Sequence, residues 1–271
     1  MSPVNTPPPD LRIVMTRALH PHEETDSQRL DPLVARIQSE PTMINPPIVA
    51  PISDSEYVVL DGANRTNAFA LLDYPHILVQ VVSYTHGTVE LANWQHVICN
   101  WSTDALIEHL NDLPALHMRY GVQPDALAQI VSRDGRTFSY DADAPDLATR
   151  NAALRALVGV YQRNAILQRT ALTDLEWVWE TFIDGAAFVS FPRYQPHDII
   201  AAAHQHAYLP PGISRHIVHG RALRVNYPLD ALRDPIPTLE QKNAVLQNWL
   251  HAKIAKRQMR YYAETTYQFD E

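Results

Sequence analysis

The sequence predicts a mixed α+β fold, and three features predict it. Short β-branched runs such as "NPPIVAPI" and "EYVVLDG" alternate with stretches whose apolar residues recur at helical spacing. Tight polar turns, "SDSE" and Arg133-Asp134-Gly135, separate consecutive strand-like runs. Apolar residues make up 46% and charged residues 19% of 271 positions, the balance of a globular chain. That length exceeds the size at which a single core keeps growing, so one large or two modest domains are expected.

Prolines at 3, 7, 8 and 9 make residues 1–10 an extended, flexible leader. "LRIVMTRAL" then reads as a first strand. In "HPHEETDSQRLDPLVARIQSE", Asp26 or Ser27 can cap a helix that carries Leu30, Leu33, Val34 and Ile37 on one face, leaving His22, Glu23 and Glu24 in the loop ahead of it. The two runs around "SDSE" read as a hairpin. The second of them leads through Asp61-Gly62 into a helix over residues 64–72, which Pro75 stops before the strand "HILVQVVSY". A linking helix at "STDALIEHLNDL" closes a first domain over residues 11–119. A second, over 120–271, opens with a hairpin about Asp134-Gly135. Helices at "PDLATRNAALRALVGVYQRN" and "LTDLEWVWETFIDG" follow, the latter with Gly185 as its stop, then the strand "AAFVSFP" and a helix opened by Pro196. A long helix from residue 237 to 264 ends the chain, with Leu239, Val245, Leu246, Leu250 and Ile254 as its apolar stripe.

Composition excludes some functions. With 22 Lys+Arg against 30 Asp+Glu the net charge is −8, which disfavours a protein that binds DNA by neutralising phosphates. The longest apolar runs, residues 58–60 and 77–82, fall far short of the roughly 20 residues that span a bilayer. The start lacks a basic segment followed by an apolar one, and Cys99 stands alone, so a cytoplasmic protein without an intrachain disulfide is expected.

Several residues have the chemistry of a site. Asp61-Gly62-Ala63-Asn64-Arg65 puts a carboxylate at a strand end, a flexible glycine, a helix start and a guanidinium together, parts that suit a phosphate. The ordinary alternative is a capped helix with a solvated arginine. "HPHEE" offers paired carboxylates and histidines suited to general base work or a metal ion, or merely acids ahead of a helix dipole. Arg215, His216, His219, Arg221 and Arg224 form an anion trap or a basic strand edge. His204 and His206 lack a third ligand at a recognisable spacing and read as surface histidines, and Trp94 and Trp101 read as core.

"VVLDGANRTNAFALL" resembles the "DGHHR" phosphate-binding turn of the ParB/sulfiredoxin-like superfamily. Together with "PHEE" upstream and "SRHIV" downstream, it resembles that superfamily's free L-serine kinases. The resemblance covers residues 12–226 and rests on three short motifs in order. It implies a ParB-like nucleotide-binding domain followed by an α/β domain that closes the substrate pocket, with the site in the cleft between them. It also implies phosphorylation of free L-serine to O-phosphoserine with Mg²⁺ and either ATP or ADP as donor. By motif match, Glu23 is the catalytic base and Asp61 the Mg²⁺ or hydroxyl partner. Gly62, Ala63, Asn64 and Arg65 hold the donor phosphates, while Ser39, Trp94, Ser214, Arg215 and His216 line the serine pocket. Ala63 and Asn64 depart from the usual two histidines, which leaves the donor open, as is the oligomeric state, a homodimer included. Two other readings use the same fold: a nucleotide-gated DNA-binding regulator, and a sensor in which His204 and His206 bind haem or a metal.

Overall fold

The computed structural model describes residues 8–25 and 27–261, so most of the proposed leader and the Asp26 cap lie outside the described residues. The chain begins with β1 (Asp10–Met15), a 3₁₀ turn (Thr16–Ala18) and β2 (Leu19–Pro21), followed by α1 (Ser27–Ser39), β3 (Thr42–Met43), β4 (Ile48–Pro51), β5 (Tyr57–Asp61), α2 (Ala63–Leu71) and β6 (His76–Val81). Next come β7 (Val89–Asn93), β8 (Gln95–Cys99), α3 (Thr103–Asn111), β9 (His117–Tyr120), β10 (Ala128–Ser132), β11 (Thr137–Asp141) and α4 (Leu147–Asn164). The rest is β12 (Ile166–Thr170), α5 (Leu175–Thr181), β13 (Gly185–Ser190), α6 (Pro196–His204), β14 (Ser214–Val218), β15 (Tyr227–Pro228), α7 (Leu229–Arg233) and α8 (Leu239–Ala255).

The fold is mixed α+β, as the sequence predicts. A first sheet has the order β1-β6-β4-β5-β2 and a second, wholly antiparallel one the order β12-β8-β13-β10-β11-β9. Strand β5 shows why the first sheet reads as a continuous apolar run. Val58 and Leu60 point into a core shared with the second sheet, whereas Tyr57 and Val59 point into the layer formed with α2, α7 and α8, so both faces are buried. Phe69 of α2 and Leu246 of α8, both fully buried, belong to that second layer.

Four expectations need correction. The first strand breaks at Thr16–Ala18. Gly185 does not stop a helix: α5 ends at Thr181, and Gly185 opens β13, packed against Val97. The last helix ends at Ala255, and of its stripe Val245 and Ile254 are exposed, because only the Leu246 face meets the first sheet. Sheet membership also crosses residue 120. Strand β8 is central in the second sheet, and α7 and α8 return to cover the first.

One topological feature places the site. Strands β2 and β5 are parallel neighbours, with Leu19 opposite Tyr57 and Pro21 opposite Val59. Their carboxyl ends therefore emerge side by side, and the segments that follow, His22-Glu23 and Gly62-Ala63, start at the same edge.

Candidate functional site

The segment after β2 is clipped to the stretch before β14. Leu209 N–H donates to the His22 carbonyl at 2.8 Å and Glu24 N–H to the Leu209 carbonyl at 3.0 Å. This fixes Glu23 against the turn Pro211-Gly212-Ile213. Its Oε1 accepts from the Ser214 hydroxyl (2.6 Å) and Ser214 N–H (3.3 Å), and its Oε2 accepts from Gly212 N–H (3.0 Å). Burial alone would raise the carboxyl. The His22 imidazole, Ser214 and the Gly212 amide outweigh it and hold Glu23 down at about 2, so it is ionised at neutral pH. Its side chain keeps 18% exposure, enough to reach a bound molecule.

His22 is buried behind it, with Nδ1 2.6 Å from the Val59 carbonyl and Nε2 2.7 Å from Ser214 Oγ. A carbonyl only accepts, so Nδ1 carries a proton. The Ser214 hydroxyl has one proton, and when it donates to Glu23 it accepts from Nε2. Glu24, the neighbouring carboxylate, is committed elsewhere, to Arg155 of α4 at 2.8 Å.

Opposite Glu23 lies the start of α2. Gly62 is its N-cap with φ +95°, a left-handed conformation that favours glycine, and a Cβ there would press on Pro47 and Arg65 at 3.1 Å. The N-cap is Gly62 itself, with no side-chain cap bond there among the described residues, rather than Asp61 or Asn64 as the ordinary alternative has it. Asp61 instead pairs with Arg221. The Arg65 side chain is half-buried, with one guanidinium nitrogen wholly buried and lacking a hydrogen-bond partner; burial and the charge of Arg36 lower it to about 10, still cationic at neutral pH.

These walls enclose a cavity of about 910 Å³. It brings together Glu23, Asp61, Gly62, Ala63, Asn64, Arg65, Trp94, Ser214, Arg215 and His216. The Arg215 guanidinium lies over the Trp94 ring, 4.6 Å from its centroid, so Trp94 is a platform rather than core. His216 donates to or accepts from the Tyr84 hydroxyl at 2.8 Å, and burial, then the His22 charge, pushes it down to about 3. Both Arg215 and His216 stand on β14, which among the described residues pairs with β7 alone.

Ser39 is not brought in. It is exposed at the end of α1, does not line the cavity, and its hydroxyl donates to the Arg36 carbonyl at 3.0 Å. His204 and His206 are exposed, and His206 bonds to Tyr208; among the described residues no group of three His, Cys, Asp or Glu could hold a metal. Trp101 packs beside the core against His109. His219 pairs with Glu90.

Sequence reasoning missed three contributors. Arg36 reaches the cavity from α1 and Arg169 from β12. The third is a buried pair beneath the Gly212 turn: His96 Nε2 lies 3.1 Å from the Gly212 carbonyl and Nδ1 2.8 Å from the Tyr161 hydroxyl. Burial drives His96 down to about 4, so it is neutral, donating to Gly212 and accepting from Tyr161. Only "PGIS" hinted at this turn; nothing local links it to residues 96, 161 or 169.

No family model matches the chain. A 93-residue stretch is 34% identical to an ATP-dependent L-serine kinase of Staphylothermus marinus, spanning 34% of this chain and 36% of that relative. Over 277 aligned residues the chain is 22% identical to the ATP-dependent L-serine kinase SbnI of Staphylococcus aureus, covering 95% of this chain and 96% of the other. Its fold is that of a C-terminally truncated SbnI from the same organism (TM-score 0.73, 20% identity, 91% of this chain and 97% of that one). A free serine kinase in complex with AMP shares it too (TM-score 0.71, 13% identity, 84% and 95%). No described helix is long and apolar enough to cross a membrane.

Proposed function

We propose that this chain is a kinase of free L-serine, transferring a phosphoryl group from ATP, or from ADP, to the serine hydroxyl to give O-phosphoserine. One observation carries the reading: an ionised, hydrogen-bonded carboxylate, a helix start with a buried guanidinium, and a second guanidinium over an aromatic ring all face one cavity. Those are the parts needed for a hydroxyl nucleophile, a polyphosphate and an amino-acid carboxylate. The likeness in fold to serine kinases supports it, and we infer with it a ParB/sulfiredoxin-like placement and a cytoplasmic location.

Glu23 orients the serine hydroxyl and accepts its proton as the hydroxyl oxygen bonds to the donor's terminal phosphorus and the bond from that phosphorus to the leaving nucleotide breaks. So weak a base suits phosphoryl transfer, whose loose transition state asks for positioning and charge stabilisation more than for early deprotonation. Arg215, held flat by Trp94, takes the serine carboxylate, while Arg65 and the α2 dipole take the phosphates. Mg²⁺ usually takes one or two carboxylates, with waters and substrate phosphates completing its shell, and Asp61 fits as such a ligand once Arg221 leaves it. There the ion would neutralise charge on the donor phosphates.

Incubation with L-serine, Mg²⁺ and either ATP or ADP, followed by phosphorus NMR, tests this. Phosphoserine is expected with at least one donor, and its absence with both removes the proposal.

A further inference from the structure

The cavity contains a cationic pair that the kinase reading leaves half assigned. Arg65, in the first turn of α2, has a buried guanidinium nitrogen without a hydrogen-bond partner. Arg36, in the last turn of the packed helix α1, lines the same cavity, and its Nε lies 3.8 Å from Glu40, at the outer limit of an ion pair. The acids nearby are engaged: Asp61 with Arg221, Glu23 with Ser214 and Gly212, Glu24 with Arg155. Ala63 contributes no polar side chain to the turn.

We propose that Arg36 and Arg65 form a two-guanidinium clamp for an oligophosphate chain, so that the site selects its ligand by the number of phosphates. The donor's identity rests on the kinase reading; the clamp does not. A buried unpaired cation is costly, and a second cation near it adds repulsion, so an anion with charge spread along its length relieves both. One phosphate at the α2 start satisfies Arg65 and the helix dipole. Arg36 comes from a different helix, so it engages the next phosphate along the chain, and guanidinium forks suit phosphate oxygens bidentately. Burial and the Arg36 charge, which together lower Arg65, fit this arrangement.

Calorimetric titration at fixed ionic strength with AMP, ADP, ATP and inorganic tripolyphosphate tests the clamp. Wild-type affinity is expected to climb from AMP to ATP, and tripolyphosphate is expected to bind without a nucleoside. Arg36→Gln, a change on an exposed helix face, should lose about tenfold for ATP and tripolyphosphate while holding AMP within twofold. Equal losses for all ligands, or none, overturn the proposal. Glu40→Gln, which removes the partner of Arg36, should leave ATP affinity unchanged or tighter; a tenfold loss there would mean that α1 is merely being perturbed, and overturns it too. The kinase reading fails separately: tripolyphosphate binding without phosphoserine formation sinks the kinase and keeps the clamp, and phosphoserine formation with affinity indifferent to phosphate number does the reverse.

Discussion

The two walls of the cavity are built on opposite plans. On the Glu23 wall each carboxylate oxygen has a donor, supplied by Ser214 and by the Gly212 amide, and the turn bearing that amide is itself tied to His96 and Tyr161. On the Arg65 wall a guanidinium has one nitrogen buried and unpartnered and a like charge nearby. The first wall is complete before any ligand arrives, which is what positioning a hydroxyl requires. The second is completed only by an anion. Substitutions on the first should therefore damage turnover and stability, whereas those on the second should damage affinity and leave the free protein intact.

The largest expected effect is that of Glu23→Gln. The amide keeps the shape and can still accept from Gly212, yet cannot take a proton, so turnover should fall by roughly 10²–10⁴-fold with nucleotide affinity within about twofold. Steady-state kinetics and calorimetry read the two quantities. A fully active variant would mean that the base has been misidentified.

Next comes Gly212→Ala. Gly212 has φ +76°, and a Cβ there would overlap the Arg169 guanidinium, which also donates to the Pro211 carbonyl at 3.0 Å. The strain alone is about 1–3 kcal/mol. Thermal melts should show the loss, and serine turnover should fall with it because the amide that holds Glu23 Oε2 moves. Unchanged melting and turnover would show that the Gly212 turn does not position the carboxylate.

Arg65→Gln should behave in the contrary sense. Removing a cation that lacks one partner should leave the melting temperature of the free protein unchanged or higher, while nucleotide affinity falls about tenfold or more. Destabilisation of the free protein by several kcal/mol would erase the contrast between the walls.

How far this was legible in the sequence follows from the range of the contacts. The Asp61-Gly62 turn and its helix could be read because strand, glycine and helix are contiguous, and Glu23 and Arg215 because they sit in short motifs. Both adjacent acids line the cavity, and which of them is taken up by an ion pair is decided by Arg155, far along the chain, so no local pattern could sort Glu23 from Glu24 without a resemblance. His96 lies on β8, a strand whose polar "QH" start hid it, and its partners Tyr161 and Gly212 come from elements 65 and 116 residues away. Ser39 was placed by motif match alone, and a short motif does not say which side chain of a helical turn reaches the site: Arg36 in the same turn lines the cavity and Ser39 does not.

The smallest effect, acid lability, separates the walls by charge type. His96 and His216 are buried and pushed from 6.5 to about 4 and about 3, so below pH 6.5 the unfolded chain binds protons that the folded one does not, and stability falls as pH falls. Glu23, lowered from 4.5 to about 2, has the same sign in a lower window: its contribution is full above 4.5 and is lost as pH drops towards 2. Arg65 stays charged throughout this range and contributes no slope. Melting temperature measured from pH 8 to pH 3 should therefore start to decline near pH 6.5 and steepen below about 4.5. The decline should be shallower in the upper window for His216→Gln and in the lower window for Glu23→Gln, and unaltered for Arg65→Gln. A flat profile down to pH 4 in the wild type would mean that His96 and His216 are not held neutral, and the contrast between a finished wall and an unfinished one would lose its electrostatic half.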